Sequence, residues 1–498
     1  MDDAAARPSK SAKRAAPVAM SGAISVAAPL VVDLDGTLLE TDTLYESFVA
    51  AVFQHPIAAI LALPRLLSGR AAFKARLGEI AELDVEGLPL RETLVDRLAA
   101  EQAKGREIHL VSAADHAVVT AVADRVGLFT SAQGSEGGVN LKGEAKARYL
   151  EERFPEGFTY CGDSRADLAV WRKASSVGIV GASKGVASAA KRLGKPVEVE
   201  VDTGSTRLRA WRKALRLQQW SKNVLVFVPL VLAHELTDIW AWAKVLTGFL
   251  CMGVMASATY LVNDLGDLSS DRRHRSKRFR PLASGALPIQ SALIAIVPMI
   301  AVSLGVMAWL SPAAALCLMV YAGFTLSYSL RLKRVVMLDV TILGLLYTIR
   351  LIMGQILAGS AESTWLLTFS MFFFCSMALT KRHSEIEVAA ASGLTELRGR
   401  GYRVKDAPLT LSMGISFSAA SILIVVIYLT EEAFPSGLYH HPHRLWVAPV
   451  LLHLWLARVW ILAHRGEMND DPVAFALRDR YSLLLGALLG ATFLAAVI

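Results

Sequence analysis

The rhythm of hydrophobic positions changes near residue 205. Before that point, short runs rich in β-branched residues at 29–34, 107–112, 158–162 and 176–180 alternate with stretches of helix length. Strands separated by helices predict a parallel sheet in a Rossmann-like α/β domain. After it, long apolar segments recur at 222–235, 241–262, 289–309, 312–329, 337–358, 364–380, 409–430, 445–463 and 480–498. A helix needs about 20 residues to cross a bilayer core of ~30 Å, so these are read as about nine transmembrane helices, the first of them short. The expected organisation is a disordered tail over 1–25, an α/β domain over 26–200 and a linker helix over 201–221. An all-α polytopic membrane domain over 222–498 completes the chain.

Composition agrees with a chain that is part wet and part apolar. Of 498 residues 54% are hydrophobic, with mean hydropathy +0.42, yet 19% are charged. The four cysteines, Cys161, Cys251, Cys317 and Cys375, lack disulfide or metal-ligand spacing and read as small buried hydrophobes. The formal charge of +8 sits mostly on alternate loops between apolar segments. Arg272–Arg280 carries six basic residues, and Arg331, Lys333 and Arg334 follow two spans later. Lys381, Arg382, Arg398, Arg400, Arg403 and Lys405 come next, then Arg465, Arg478 and Arg480, whereas the opposite loops hold only Arg444. The positive-inside rule puts the first domain in the cytoplasm of a bacterial-type inner membrane and the C-terminus outside. These basic loops are short and contain no nucleic-acid-binding module, so nucleic acid is not expected as a partner.

Lys10, Lys13 and Arg14 precede a small-residue run that looks like a secretory signal, but the run flows directly into the first strand, which cleavage would cut. In the linker RLRAWRKALRLQQW, Leu208, Trp211, Leu215 and Leu217 are expected to share one face among basic residues, as suits a helix lying on an anionic leaflet.

The chemistry of the first domain begins at VVDLDGTLLE. Asp33 and Asp35 stand two apart at a strand end and point the same way, so one can attack phosphorus while the other protonates the leaving oxygen. Ser112 ends the second strand, Lys142 follows in LKGEAK, and Asp163 and Asp167 stand in YCGDSRAD as candidate magnesium ligands. These elements, in this order over about 28–185, resemble the haloacid dehalogenase (HAD) phosphatase superfamily. The resemblance implies Asp33 as nucleophile and metal ligand, Asp35 as general acid/base, and Ser112 and Lys142 as phosphate binders, with Lys146 as the alternative lysine. It also implies a helical cap over about 41–101. The cap's run FVAAVFQHPIAAILALPRLL is apolar enough to face lipid or to form ordinary cap core.

The membrane domain has its own acidic cluster, NDLGDLSSD, with Asn263, Asp264, Asp267 and Asp271 at the end of a span. Spacings of three and four put the carboxylates on one helical face, as suits Mg²⁺ bridging to a diphosphate. The basic run with Lys277, Arg278 and Arg280 follows, then Tyr328 and Lys333, Asp339, and Arg350 deep in an apolar span, where a charge is costly unless it lines a polar cavity. Lys222, Asn223, Lys381 and Arg382 complete the candidate phosphate contacts.

The motif NDxxDxxxD with YSxxLK over about 210–498 resembles the UbiA superfamily of intramembrane prenyltransferases. Within it, QWSKNVLVFVPL and YLVNDLGDLSSDRRHRSKRFRPLASG most resemble the decaprenyl-phosphate phosphoribosyltransferases. The second acidic motif is reduced here to Asp339, which favours that branch. The resemblance implies one Mg²⁺ site in each domain, phosphoribosyl diphosphate as donor and a polyprenyl phosphate as acceptor. Two alternatives stay open: a transferase using a polyprenyl diphosphate donor, and a phosphatase with a non-catalytic membrane anchor.

Overall fold

A computed structural model describes residues 28–498 apart from 69, 137–139, 203–206, 234–236, 361–362, 398, 436, 438, 469–474 and 477. The expected tail over 1–25 lies outside the described residues. The chain divides into two compact units, Met1–Leu38 with Arg91–Thr203 and Leu39–Leu90 with Gly204–Ile498. Helices are numbered below along the whole chain, so α1 to α3 belong to the second unit.

In the first unit six parallel strands form one sheet: β1 (Leu30–Val32), β2 (Ile108–Asp115), β3 (Ser131–Ser135), β4 (Thr159–Gly162), β5 (Ser176–Val180) and β6 (Val197–Val201). Their order, β3-β2-β1-β4-β5-β6, reverses between β1 and β4. Such a reversal opens a crevice at the carboxyl ends of the two central strands, where α/β proteins bind ligands. The four apolar runs of the sequence became β1, β2, β4 and β5. The strand β3, SAQGS, was not expected because it contains no β-branched or aromatic residue, and the edge strand β6, VEVEV, is half polar. Helices α4 (Glu92–Gln102), α5 (His116–Val126), α6 (Glu144–Arg153), α7 (Asp167–Lys173) and α8 (Lys184–Lys191) belong to this unit. Its core gathers Val31, Phe158, Tyr160, Val170 and Trp171, all almost fully buried. The indole of Trp171 donates to the Tyr160 carbonyl at 3.0 Å, which satisfies the one polar atom of a side chain otherwise sunk in hydrocarbon.

The second unit contains α1 (Thr43–Gln54), α2 (Pro56–Ala62) and α3 (Arg70–Ile80), then α9 (Arg207–Ala214) and α10 (Val228–Leu232). The bundle proper follows: α11 (Ile239–Gly266), the short α12 (Leu268–Arg273), α13 (Ile289–Leu310), α14 (Pro312–Leu330), α15 (Leu338–Ala358), α16 (Thr364–Ala391), α17 (Ala407–Tyr428), α18 (Val447–His464) and α19 (Arg480–Val497). Among the described residues eight helices are long and apolar enough to cross a membrane. The expected first span is instead a tight 3₁₀ segment, Leu217–Phe227, continued by the five residues of α10. Large apolar side chains cover the outside of the bundle: Ile294, Val297, Trp309 and Leu494 are each more than 60% exposed. An apolar exterior on this scale has lipid as its natural solvent. The interior is packed around Val226, Met252, Met255, Leu318, Tyr321 and Met353.

The linker departs from expectation. Helix α9 ends at Ala214, and Arg216 adopts a left-handed backbone, φ 49°, before the 3₁₀ segment begins. Leu208 and Leu217 remain exposed, while Trp211 and Leu215 pack against Leu261, Leu265 and Leu268, so the four do not share one face.

The expected cap over 41–101 is divided, with 39–90 in the helical unit and α4 in the α/β unit. The cause is a buried docking contact. Glu46 on α1 accepts a bidentate pair from Arg272 on α12, at 2.5 and 3.1 Å, with the two side chains only 4% and 8% exposed. Thr41 donates to the same carboxylate at 2.6 Å, and Arg272 also reaches the Ala283 carbonyl at 3.0 Å. Tyr45, Val49 and Phe53 pack with Leu265, Leu268, Leu282 and Leu287 beside it. Two glycines permit the approach: a Cβ on Gly266 would lie 2.6 Å from the Phe53 ring, and one on Gly285 would lie 2.4 Å from the Glu40 carbonyl. On the outer side, α2 exposes Ile57, Ile60 and Leu61.

Truncating one partner of a buried ion pair strands the other, at a cost of about 3–5 kcal/mol. Arg272→Ala is therefore expected to release α1, with hydrogen–deuterium exchange in Thr43–Gln54 accelerated by roughly two to four orders of magnitude. Unchanged exchange there would show that the apolar contacts alone hold the segment.

Candidate functional site

The first cluster stands at the carboxyl ends of β1 and β4. Asp33 follows β1 directly, and its backbone N–H donates to the Cys161 carbonyl at 3.0 Å. Gly36, at φ +76°, turns the chain back, and a Cβ there would lie 2.4 Å from Asp163 Oδ2. Arg91 pins this turn from behind, donating to the carbonyls of Thr37 and Gly36 at 3.0 Å each. Oxygens of Asp33, Asp163 and Asp167 lie within 4.8 Å of one another. Asp167 is fixed by three donors, the backbone N–H groups of Asp163 and Ser164 and the Ser164 hydroxyl, and its other oxygen accepts from Tyr160 at 2.8 Å.

The lysine of this site is Lys146, not Lys142. Lys146 is 4% exposed and donates to Asp33 Oδ1 at 2.7 Å and to the Tyr160 hydroxyl at 2.9 Å. Lys142 is exposed in the loop before Gly143, the N-cap of α6, whereas Lys146 lies on the buried face of the first turn. Ser112 is 1% exposed on β2, two residues beyond the Leu110–Val32 pairing, and thus at the same sheet edge. Asp35 is half-buried in the turn.

Crowded carboxylates perturb one another's ionisation. Burial, then the charges of Asp33, Asp167 and Asp35, push Asp163 up to about 8. Burial also raises Asp33, with Lys146 opposing it, and the neighbouring carboxylates lift Lys146 above its ordinary value despite its own burial. With Asp163 raised to about 8, its ionisation at neutrality is favoured by added positive charge, which is the electrostatic condition for a divalent cation.

The second cluster stands where α11 gives way to α12. Backbone bonds Asp267 N–H to Asn263 and Asp271 N–H to Asp267 carry the helical spiral through the break, so Asp264 and Asp271 share a face. Arg280 bridges them, 3.2 Å from Asp264 and 2.6 Å from Asp271. Arg216 takes the same Asp264 oxygen and lies over the Tyr260 ring, 4.7 Å from its centroid. Asp267 turns instead to Asn263, at 3.3 Å, and Lys333, at 4.0 Å. Guanidinium groups thus already stand between members of the stripe. One acceptor is left over: Asp271 Oδ1 is buried without a hydrogen-bond partner.

Further buried charges lie on α15 and α16. Asp339, 0% exposed, accepts from Arg382 at 2.6 Å and from Tyr402 at 2.7 Å. Arg382 also donates to Tyr328 at 3.1 Å, and Arg400 reaches that phenol at 3.0 Å. Arg350 donates to Asn223 at 2.9 Å and to Tyr321 at 3.2 Å, and also bonds the Leu346 carbonyl. Lys222 lies 5.7 Å over the Tyr347 ring, which Arg350 also approaches at 5.4 Å and on which Phe374 stacks. Asn223 Nδ2 is buried with no acceptor. Lys277 and Arg278 are exposed and join none of these contacts, and Lys381 is half-buried. Sequence reasoning missed Arg216, Tyr160, Tyr402 and Arg400 as members of the clusters. Only the position of Tyr160 one residue before the YCGDSRAD cysteine gave a local clue.

Comparison with known proteins matches two family models, the UbiA prenyltransferase family over residues 224–491 and haloacid dehalogenase-like hydrolase over residues 30–172. The Sinorhizobium fredii protein y4nM is 42% identical over 469 residues, spanning 94% of this chain and 91% of its own. The nodulation protein NoeC of Azorhizobium caulinodans is 30% identical over 293 residues, 57% of this chain and 92% of that protein. The decaprenyl-phosphate phosphoribosyltransferase of Mycobacterium tuberculosis is 30% identical over 292 residues, 57% of this chain and 93% of that protein. With its lipid-exposed bundle, its buried acidic and basic clusters and the α/β domain ahead of them, the chain belongs to the UbiA prenyltransferase family as a multi-pass membrane transferase fused to a haloacid dehalogenase-like hydrolase domain.

Proposed function

We propose that the bundle transfers 5-phosphoribose from phosphoribosyl diphosphate to a polyprenyl phosphate, and that the α/β unit removes the 5-phosphate from the lipid product. The observation that carries the first half is the Mycobacterium tuberculosis relative, named for such a transfer and matched over 93% of its length. The buried charges of the bundle support it, since Asn223 Nδ2 is an unsatisfied donor beside Arg350 and suits a phosphate oxygen. The second half rests on the phosphatase-like geometry of Asp33, Lys146, Asp163 and Asp167.

Magnesium dependence is general in both families. The residues here fit it in the α/β unit, where Asp33, Asp163 and Asp167 converge; in the bundle Asp264, Asp267 and Asp271 would hold the ion, and the orphaned Asp271 Oδ1 would gain a partner. Bound there, the cations would supply positive charge to phosphate oxygens that carboxylates would otherwise repel.

In the transfer the C1–O bond to diphosphate breaks, the diphosphate departs with the electron pair, and an oxygen of the polyprenyl phosphate forms the new C1–O bond. Lys333, Arg280 and Arg216 are the fixed cations available to stabilise the leaving charge, and Arg350 with Lys222 and Asn223 hold anionic groups in place. In the hydrolysis Asp33 attacks the phosphorus while Asp35 gives a proton to the departing ribose oxygen. Water then cleaves the aspartyl phosphate and frees inorganic phosphate. Lys146 orients Asp33 and offsets the incoming charge. Covalent fusion gives the second site an effective product concentration of about millimolar order.

The proposed setting is a bacterial inner membrane with the α/β unit cytoplasmic. Counting residues 217–232 as a ninth crossing, this setting leaves the C-terminus outside.

Full-length protein given phosphoribosyl diphosphate and polyprenyl phosphate is expected to yield a ribosylated lipid and inorganic phosphate, read by mass spectrometry. Asp33→Asn should accumulate the 5-phosphorylated lipid, with phosphate release down about 10³-fold, and Asp264→Ala should lose transfer while still hydrolysing added 5-phosphorylated lipid. Consumption of a polyprenyl diphosphate in place of phosphoribosyl diphosphate would overturn the transfer assignment, and equal phosphate release by Asp33→Asn and wild type would overturn the hydrolase half.

Lys146→Met should lower phosphatase turnover by about 10²-fold and Lys142→Met by less than about twofold. The reverse ranking would restore Lys142 to the site. Because Asp163 is raised to about 8, its carboxyl holds a proton below that pH which an incoming cation must displace. The Mg²⁺ concentration for half-maximal phosphatase activity should therefore climb between pH 8 and pH 6, by up to about tenfold per pH unit, whereas a flat profile would contradict the crowding of the carboxylates.

A further inference from the structure

We infer that His383, Glu387 and His464 form a separate site for a zinc-type transition metal in the helical unit. His383 and Glu387 stand four residues apart on one face of α16, and His464 is the last residue of α18. The Nε2 atom of His383 is 3.3 Å from His464 Nδ1 and 3.5 Å from Glu387 Oε1, and the third side of the triangle, His464 Nδ1 to Glu387 Oε1, is 3.9 Å. A point equidistant from these three atoms lies about 2.1 Å from each, the bond length of zinc to imidazole nitrogen and carboxylate oxygen. Two imidazoles and one carboxylate with room for a fourth ligand make the donor set of a zinc-type ion, whereas magnesium prefers an all-oxygen octahedral shell.

The hydrogen-bond network argues that the triangle encloses a cation. His383 Nδ1 faces the Thr410 hydroxyl at 3.2 Å, and that hydroxyl gives its own hydrogen to the Ala407 carbonyl at 3.0 Å. Nδ1 therefore carries the ring proton, and in the neutral ring Nε2 presents a lone pair. That lone pair points at a carboxylate oxygen, acceptor against acceptor, and the contact is repulsive unless positive charge lies between them. A proton on Nε2 or on His464 Nδ1 would answer at most two of the three approaches, and a metal ion answers all three. The Thr410 hydroxyl then plays the outer-shell part common to metal-bound histidines, fixing the tautomer and the ring plane. The His383 side chain is 1% exposed, Glu387 30% and His464 60%, so the vacant coordination position would open toward solvent on the His464 side.

An ion here would tie α16 to α18 one residue after Arg382, the residue that holds the buried Asp339. Its expected part is to fix the turn of α16 that presents Lys381 and Arg382.

The test uses full-length protein in detergent, loaded with one equivalent of zinc in excess magnesium, desalted and analysed for bound metal. Wild type is expected to retain about one zinc per chain. His464→Ala and Glu387→Gln, which alter the more exposed ligands, should each lose it while keeping the wild-type elution volume, and His464→Cys should retain it. Cobalt(II) loaded in the same way should give the intense visible bands of a tetrahedral site in wild type and not in His464→Ala. Equal zinc in wild type and both variants, no retained zinc in wild type, or only the weak bands of octahedral cobalt would overturn the assignment and leave an imidazolium–carboxylate contact.

Discussion

Carboxylates taken out of water dominate the design of this protein. Asp33, Asp264, Asp271 and Asp339 are each less than a tenth exposed, and each lies against a lysine or arginine that is itself partly or wholly buried. An isolated buried charge is untenable, whereas a paired one is tolerated when its remaining lone pairs are satisfied. The chain places its polar clusters accordingly, at helix ends and at the sheet edge, where cations can reach them. Satisfaction is incomplete in the bundle at Asp271 Oδ1 and Asn223 Nδ2, which are buried without a hydrogen-bond partner.

Arg216 shows how far the backbone yields to this demand. Its left-handed conformation is costly for a residue with a Cβ. The conformation ends α9, starts the 3₁₀ segment and delivers the guanidinium to Asp264. The linker is thus part of the charged cluster as well as a connection.

Much of the architecture was legible because periodicity reports burial. The four β-branched runs and the long apolar segments reflect strands buried on both faces and helices bathed in lipid, and both leave plain signatures. The acidic motifs were legible because their carboxylates stand at short, regular spacing. The partners were not. Choosing Lys146 over Lys142 depends on which side of a helix start is buried, and the Arg382–Asp339 pair joins residues 43 apart. Local pattern carries no record of such contacts. The Glu46–Arg272 pair, 226 residues apart, lies further still beyond the reach of sequence reading, and it joins residues 39–90 to the helical unit alongside the apolar contacts of Tyr45, Val49 and Phe53.

That docking contact bears on how such a fusion can be taken apart or recombined. A gene break at the apparent linker near residue 205 would leave the bundle without the helices that cover Leu265, Leu268 and Leu282, and would abandon Arg272 beside no counter-charge. Modular exchange between homologues therefore has to carry the inserted segment together with the bundle, although the chain encodes it inside the hydrolase. The heritable unit of the transferase is discontinuous in sequence.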